Sequence, residues 1–266
     1  MRIEEYSAMF ELEDRLWWFQ GMRGITASIL DAELMGRSNF RFLDVGCGTG
    51  YSLAWLRGRY RPTQAYGVDV SAHAAAFWKM RGVDTVAVAS ADALPFGRSE
   101  FDFVSCFDVI YQLDDDRAAK AVSEIHRVLK PGGVFFIREP AYEWMRGSHD
   151  IAVATRHRYT RQELKGLLSR NGFDIKRATY ANTFLFGLAA LHRILSRLKR
   201  SEESDVRPVA GWMNNVFTRV LGMEALALRW FALPFGLSTI VLATKGTRGI
   251  DDCKLMIDEG ELMNDD

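Results

Sequence analysis

The 266-residue chain predicts a doubly wound α/β fold on an open, mostly parallel sheet of seven strands. Three observations carry this prediction. From Phe40 onward, short β-rich runs alternate with helix-patterned ones; a glycine turn follows the first strand; and Lys130-Pro131-Gly132-Gly133 reads as a strong helix stop.

The elements follow in order. Residues 1–38 read as two helices, with Trp17-Trp18-Phe19 and then Gly21-Met22-Arg23-Gly24 between them. Strands are expected over 41–45, 65–70, 85–89, 101–107 and 134–139, with helices over 51–59, 72–81 and 115–129. Thr160, with Glu163 three residues on, forms a capping box for a helix over 161–169, which Asn171-Gly172 ends. A strand over 173–180 and a late strand over 238–244 complete the series. Between those two strands lies an insertion, 183–236, whose Leu185, Leu188, Leu191, Leu195 and Leu198 mark one helical face. The expected division is a helical lid (1–38), an α/β core (39–182), a helical cap (183–236), the last core strand (237–249) and a disordered acidic tail (250–266).

Composition narrows the class. With 48% hydrophobic and 26% charged residues, the chain reads as an ordinary soluble globular protein. Lys+Arg and Asp+Glu both number 34, but the tail holds seven acids and one base, leaving a body with 33 bases and 27 acids. That surplus is modest and no basic stripe with stacking aromatics appears, so no nucleic-acid partner is expected. Three scattered cysteines argue against a disulfide framework or a metal site, and no export signal or membrane-length apolar run is evident. A cytoplasmic location is the expectation.

The densest chemical signal is Phe42-Leu43-Asp44-Val45-Gly46-Cys47-Gly48-Thr49-Gly50, a strand, a glycine turn and a helix start. A dinucleotide-binding fingerprint spaces its glycines G-x-G-x-x-G, and here the third glycine comes one residue early. Asp44 would also repel a pyrophosphate, whereas it would attract a sulfonium or ammonium cation. This favours S-adenosylmethionine over NAD.

On these residues the chain resembles the class I S-adenosylmethionine-dependent methyltransferases, from about Phe40 to Phe173. The resemblance implies their Rossmann-like fold with an antiparallel last strand. It implies that Asp44 and Gly46, Cys47, Gly48 and Gly50 hold the methionine end of the cofactor, and that Asp69, with Val70 beside it, bonds the ribose hydroxyls. Asp92 would accept from the adenine amine, with Ala91 and Ala93 around the ring, and Phe107 would line the transferred methyl. Trp18 and Arg23 resemble an N-terminal segment that closes over the cofactor in a bacterial branch of the family. Plainer readings stand beside these: Asp69 as the cap of the helix that begins at Ser71, Asp92 as a turn residue, and the aromatics of 17–19 as packing.

In the resembling branch the stretch after the fifth strand forms part of the substrate mouth. Here it contains Tyr142, His149 and Arg158, the candidate catalytic residues. His149, Arg156, His157 and Arg158 suggest an anionic or polyhydroxylated acceptor, and His149 is the first candidate for a base. His126 and the cysteines read as packing. The acceptor is expected to be a small molecule, a glycan or a lipid-linked compound, with O-methylation favoured. A peripheral membrane contact through the insertion and a homodimer stay open, as do a non-catalytic cofactor-binding subunit and an NAD-dependent oxidoreductase.

Overall fold

The computed structural model of the chain describes residues 3–147, 150–151, 153–199 and 209–246. Strands β1 (Arg41–Val45), β2 (Gln64–Asp69), β3 (Val86–Val88), β4 (Phe101–Phe107), β5 (Leu129–Pro140), β6 (Phe173–Ala181) and β7 (Ser238–Lys245) form one sheet in the order β3-β2-β1-β4-β5-β7-β6. Pairing is parallel from β3 through β5, and β7 runs antiparallel between β5 and β6. The strand order reverses between β1 and β4, so the ligand crevice of a doubly wound sheet opens over their carboxyl ends.

Strand alternation explains the two layers. Phe42 and Phe103 stack at 4.9 Å on one face, together with Phe136, while Leu43, Val104 and Phe135 point to the other. The first face is covered by α2 (Trp17–Leu34) and α3 (Tyr51–Tyr60). The second is covered by α5 (Asp115–Val128) and α6 (Arg161–Arg170), through residues such as Val122, Ile125, Leu164 and Leu168. The predicted capping box is present at Thr160, whose hydroxyl accepts from Glu163 N–H while the Glu163 carboxylate accepts from Thr160 N–H at 2.7 Å.

Several expected bounds shift. The helix over 72–81 is a 3-10 turn at Ala72–Ala74 followed by α4 (Ala75–Met80), because no side chain at Ser71 caps its first turn. Strand β3 keeps three residues at the sheet edge, and a short edge limits pairing with other chains. The helix before Lys130-Pro131-Gly132-Gly133 ends one residue earlier than expected, and the tetrapeptide itself is part of a strand. Helix α5 ends at Val128, Leu129 is already extended and pairs with Phe101, and the tetrapeptide lies inside β5 where the register with β4 shifts. Proline disfavours helix at the residue before it, which drives this part of the chain into the sheet.

The N-terminal region contains α1 (Ile3–Leu12) before α2, and the insertion contains α7 (Phe186–Lys199) and α8 (Gly211–Ala227). Helix α8 lies along α2 at close range, since a Cβ at Gly21 would stand 2.3 Å from Leu221 Cδ1. Leu16, preceding α2, offers no capping side chain; instead Asn214 of α8 accepts from Trp17 N–H at 2.7 Å. The buried Glu224 of α8 accepts from the N–H groups of Asn182, Thr183 and Phe184, which fixes the start of α7 to α8. His149, residues 201–208 of the insertion and the acidic tail fall outside the described residues.

Candidate active site

Asp44 lies in the buried run of β1, two residues before Gly46 of the glycine turn, and it is 1% exposed. One carboxylate oxygen accepts from Ser105 Oγ at 2.5 Å; the other, Oδ2, is buried with no partner. Burial raises the carboxyl to about 7, against the hydrogen bond from Ser105; Asp69 adds to the rise and Arg138 opposes it. A buried carboxylate oxygen without a donor fits a cationic ligand, because a cation would supply the missing partner and offset the desolvation. Gly46 holds the turn tight beneath it. Its φ is +75°, and a Cβ there would stand 2.2 Å from Val109 Cγ2.

Asp69 closes the neighbouring strand. Its carboxylate accepts from Gly48 N–H and Ser71 N–H at 2.9 Å each, and from the Tyr6 hydroxyl of α1 at 3.0 Å. The bond to Ser71 belongs to the plain capping reading, while the bond to Gly48 ties Asp69 to the glycine turn. Tyr6 stays protonated and donates, since burial and then the charge of Asp69 push its phenol up. Val70 projects outward, 70% exposed, and Ala91 is buried where Ala93 is exposed. Asp92 is engaged by Arg117 Nε at 2.8 Å and by Ser90, and the Arg117 guanidinium holds its carboxyl well below the usual range. An adenine contact at Asp92 therefore shares the carboxylate with a half-exposed arginine.

The N-terminal helices reach three strand ends. Tyr6 meets Asp69 at the end of β2. Glu13, 3% exposed, accepts from Thr49 Oγ1 of the glycine turn at 2.5 Å and from Arg81 Nη2 at 2.8 Å. Trp18 covers the Arg138 guanidinium of β5 at 5.1 Å, and Phe107 of β4 covers it at 5.0 Å. Arg138 also pairs with Asp108, one residue beyond β4, through Nε at 3.1 Å and through Nη2. Arg23 lies over the Tyr51 ring at 5.1 Å. Trp18, Arg23, Tyr51, Phe107 and Arg138 together line a cavity of about 30 Å³, room for about one water-sized group. Two guanidiniums thus line one small space, and one of them, Arg138, acts electrostatically on the Asp44 carboxyl.

The mouth side rests on Glu139. This wholly buried carboxylate accepts from the N–H groups of Val109, Ile110 and Tyr111 at 3.1–3.3 Å, and so fixes the loop after β4. Tyr142 has φ +58°, an outlier for a bulky side chain, and its ring stacks on Tyr180 at 5.1 Å and on Trp144 at 6.0 Å, with Phe186 edge-on at 5.9 Å. Such strain, about 1–3 kcal/mol, persists where the surroundings over-determine it. Arg158 is 11% exposed at its side chain and holds Asp150 at 2.7 Å and the Ala141 carbonyl at 2.9 Å. It positions the loop and is spent on that loop, so the cationic mouth suggested by the sequence is smaller than the residue count implies. His157 leans on Tyr159 at 4.4 Å. His126 packs edge-on against Phe173 and burial depresses it to about 4; burial likewise pushes the Cys47 and Cys106 thiols up. Among the described residues no group of three or more His, Cys, Asp or Glu side chains could hold a metal.

The structure therefore brings Trp18, Arg23, Asp44, the glycine turn, Asp69 and Phe107 to the carboxyl ends of β1, β2 and β4, whereas the contacts of Asp92 are with Ser90 and Arg117 and those of Tyr142 are with Tyr180, Trp144 and Phe186. Tyr6, Glu13, Arg81 and Arg138 were not candidates from the sequence. Arg138-Glu139 did carry a signal, as two opposite charges closing the apolar strand Val134-Phe135-Phe136-Ile137. Tyr6 carried none, since only the tertiary fold brings it to Asp69. Tyr6→Phe is expected to raise affinity for S-adenosylhomocysteine about 2–10-fold in calorimetric titration, because it removes a competitor for the Asp69 oxygen while keeping the ring.

Residues 43–137 match the sequence profile of the methyltransferase domain family. The chain is 32% identical over 132 residues to an uncharacterised protein of Methanocaldococcus jannaschii, covering 50% of this chain and 49% of that protein. It is 32% identical over 122 residues to the fatty-acid O-methyltransferase of Mycolicibacterium smegmatis, covering 42% and 43%. The chain spans about half or less of the length of the first curated relatives it matches. A protein solved in complex with the Trm112 methyltransferase activator of Haloferax volcanii shares the fold, with a TM-score of 0.59 at 20% identity over 91% of this chain and 94% of that one.

Proposed function

We propose that the chain, whose residues 43–137 match the methyltransferase domain family, is a class I S-adenosylmethionine-dependent methyltransferase that transfers a methyl group in line to a small-molecule acceptor with an apolar body, O-methylation being favoured. The observation that carries this reading is the buried, unpartnered Asp44 Oδ2 below the glycine turn. When bound, S-adenosylmethionine supplies an electrophilic methyl group on a sulfonium.

The residues present fit that cofactor. Asp44 would hold its cationic end, Asp69 its ribose and Arg23 its carboxylate, while Ala91, Asp92 and Ala93 would border the adenine. Trp18, Phe107 and the paired Arg138 exclude water from the space between them. Methyl transfer needs alignment and dryness more than proton chemistry at the carbon, and a rigid aromatic wall supplies both. Acceptor binding falls to Tyr142 and Trp144 at the mouth. The fatty-acid O-methyltransferase of M. smegmatis is one relative whose named substrate class suits such a wall. His149 is the proposed base for a hydroxyl acceptor.

Asp44 makes cofactor binding depend on pH. A carboxyl near 7 is neutral below that value, so cation affinity is expected to be level above pH 7 and to fall about tenfold per unit below it. Calorimetry of S-adenosylhomocysteine binding between pH 6 and 8 reads this directly, and proton release at pH 6.5 accompanies it. Turnover is tested with labelled S-adenosylmethionine and acceptors that present a hydroxyl, carboxyl or amine on the same apolar body. His149→Ala is expected to lower methylation of the hydroxyl acceptor at least tenfold with cofactor affinity unchanged. Equal turnover would remove His149 as base.

A further inference from the structure

The surface of the insertion is the part of the molecule that this reading leaves unused. On α8 and just past it, Trp212, Val216, Arg219, Met223, Leu226 and Trp230 follow one another at alternating intervals of four and three residues, which places them on one helical face. That face is open: Trp212 is 71% exposed, Leu226 58% and Trp230 81%. The opposite face, with Phe217, Leu221 and Leu228, packs against the core side. Helix α7 repeats the arrangement. Phe186 turns inward to Tyr142 and Phe235, while Leu188, Leu191 and Ile194 are each more than half exposed. An apolar area of this extent on a monomer calls for an occupant.

Charge selects among occupants. The sequence of α7 contains Arg193, Arg197 and Lys199 and no acid. The acid of α8, Glu224, is buried and committed to the N–H groups that begin α7. Arg219 stands in the middle of the apolar stripe and is exposed. If a second copy packed antiparallel on this stripe, its two Arg219 guanidiniums would be buried close together without partners, a strongly unfavourable arrangement. At an anionic lipid surface the same side chain can extend to a headgroup while its stem stays apolar, and tryptophans at both ends suit the interface. No helix among the described residues is long and apolar enough to cross a membrane, so the contact is with the surface.

We propose that α7 and α8 dock the protein on an anionic lipid bilayer, apolar stripes inward. The docked face adjoins the aromatic mouth, because Phe186 of α7 touches both Tyr142 and Trp144. A lipid-soluble acceptor would enter there from the bilayer, a consequence that rests on the methyltransferase reading; the docking does not.

Sedimentation of the full chain with vesicles tests this. Binding to phosphatidylcholine vesicles containing phosphatidylglycerol, weaker in high salt and weaker on phosphatidylcholine alone, is the expected result. Met223→Glu with Leu226→Glu changes exposed positions only, and it is expected to cut vesicle binding at least about tenfold while S-adenosylhomocysteine titrates as in the wild type. Absent sedimentation with anionic vesicles, or equal binding by the double variant, overturns the proposal. So does a concentration-dependent dimer that the double variant dissolves while vesicles capture nothing. A wild type that sediments but binds no S-adenosylhomocysteine would defeat the methyltransferase reading and leave the docking standing.

Discussion

Asp44→Asn is expected to weaken S-adenosylhomocysteine binding by about 100-fold or more, corresponding to about 3 kcal/mol, and to leave the ligand-free protein at least as stable as the wild type. The two effects have one cause. The wild-type site keeps a carboxylate oxygen buried and unpartnered, and asparagine presents no charge to a cationic ligand. Because burial raises the carboxyl from its ordinary value to about 7, its ionisation opposes folding. This group's contribution to stability is full below the unfolded value near 4 and is lost as pH rises towards 7. The variant should therefore match or exceed the wild type in Tm at pH 8, and the gap should close by pH 5. A variant that loses stability at pH 8 and binds normally would assign Asp44 to the core.

Arg138→Met is expected to cost about 3 kcal/mol of stability, lowering Tm by about 10 °C, and to weaken cofactor binding about tenfold. The guanidinium pairs with Asp108, whose backbone sits at φ +55°, and lies between the rings of Trp18 and Phe107. Methionine fills much of the space but leaves Asp108 without its partner and Trp18 without its cation. Adding Asp108→Asn to Arg138→Met should recover part of the stability and none of the affinity, since the neutral amide relieves the unpaired charge without restoring the stack. Thermal melts paired with titration separate the two roles.

The sheet was legible because strand and helix periodicity are local, and because the glycine turn has a fixed place after β1. The bounds that moved did so for reasons outside the local pattern. The stop around Pro131 became part of β5 through pairing with β4, and α2 found its N-terminal cap on Asn214, 197 residues away. Asp44 and Asp69 could be singled out from their positions at strand ends. Their states could not, because the unpartnered oxygen of Asp44 and the Tyr6 bond of Asp69 exist only once distant segments meet. The cluster of cations after β5 misled in the other direction: Arg158 reads as a substrate group in sequence and is committed to Asp150 and the Ala141 carbonyl in the fold.

Calorimetric titration of the full chain with S-adenosylhomocysteine and, separately, with NAD tests the central claim most directly. The account predicts saturable one-to-one binding of S-adenosylhomocysteine at pH 7.5 and none of NAD. Binding of NAD without binding of S-adenosylhomocysteine would contradict it.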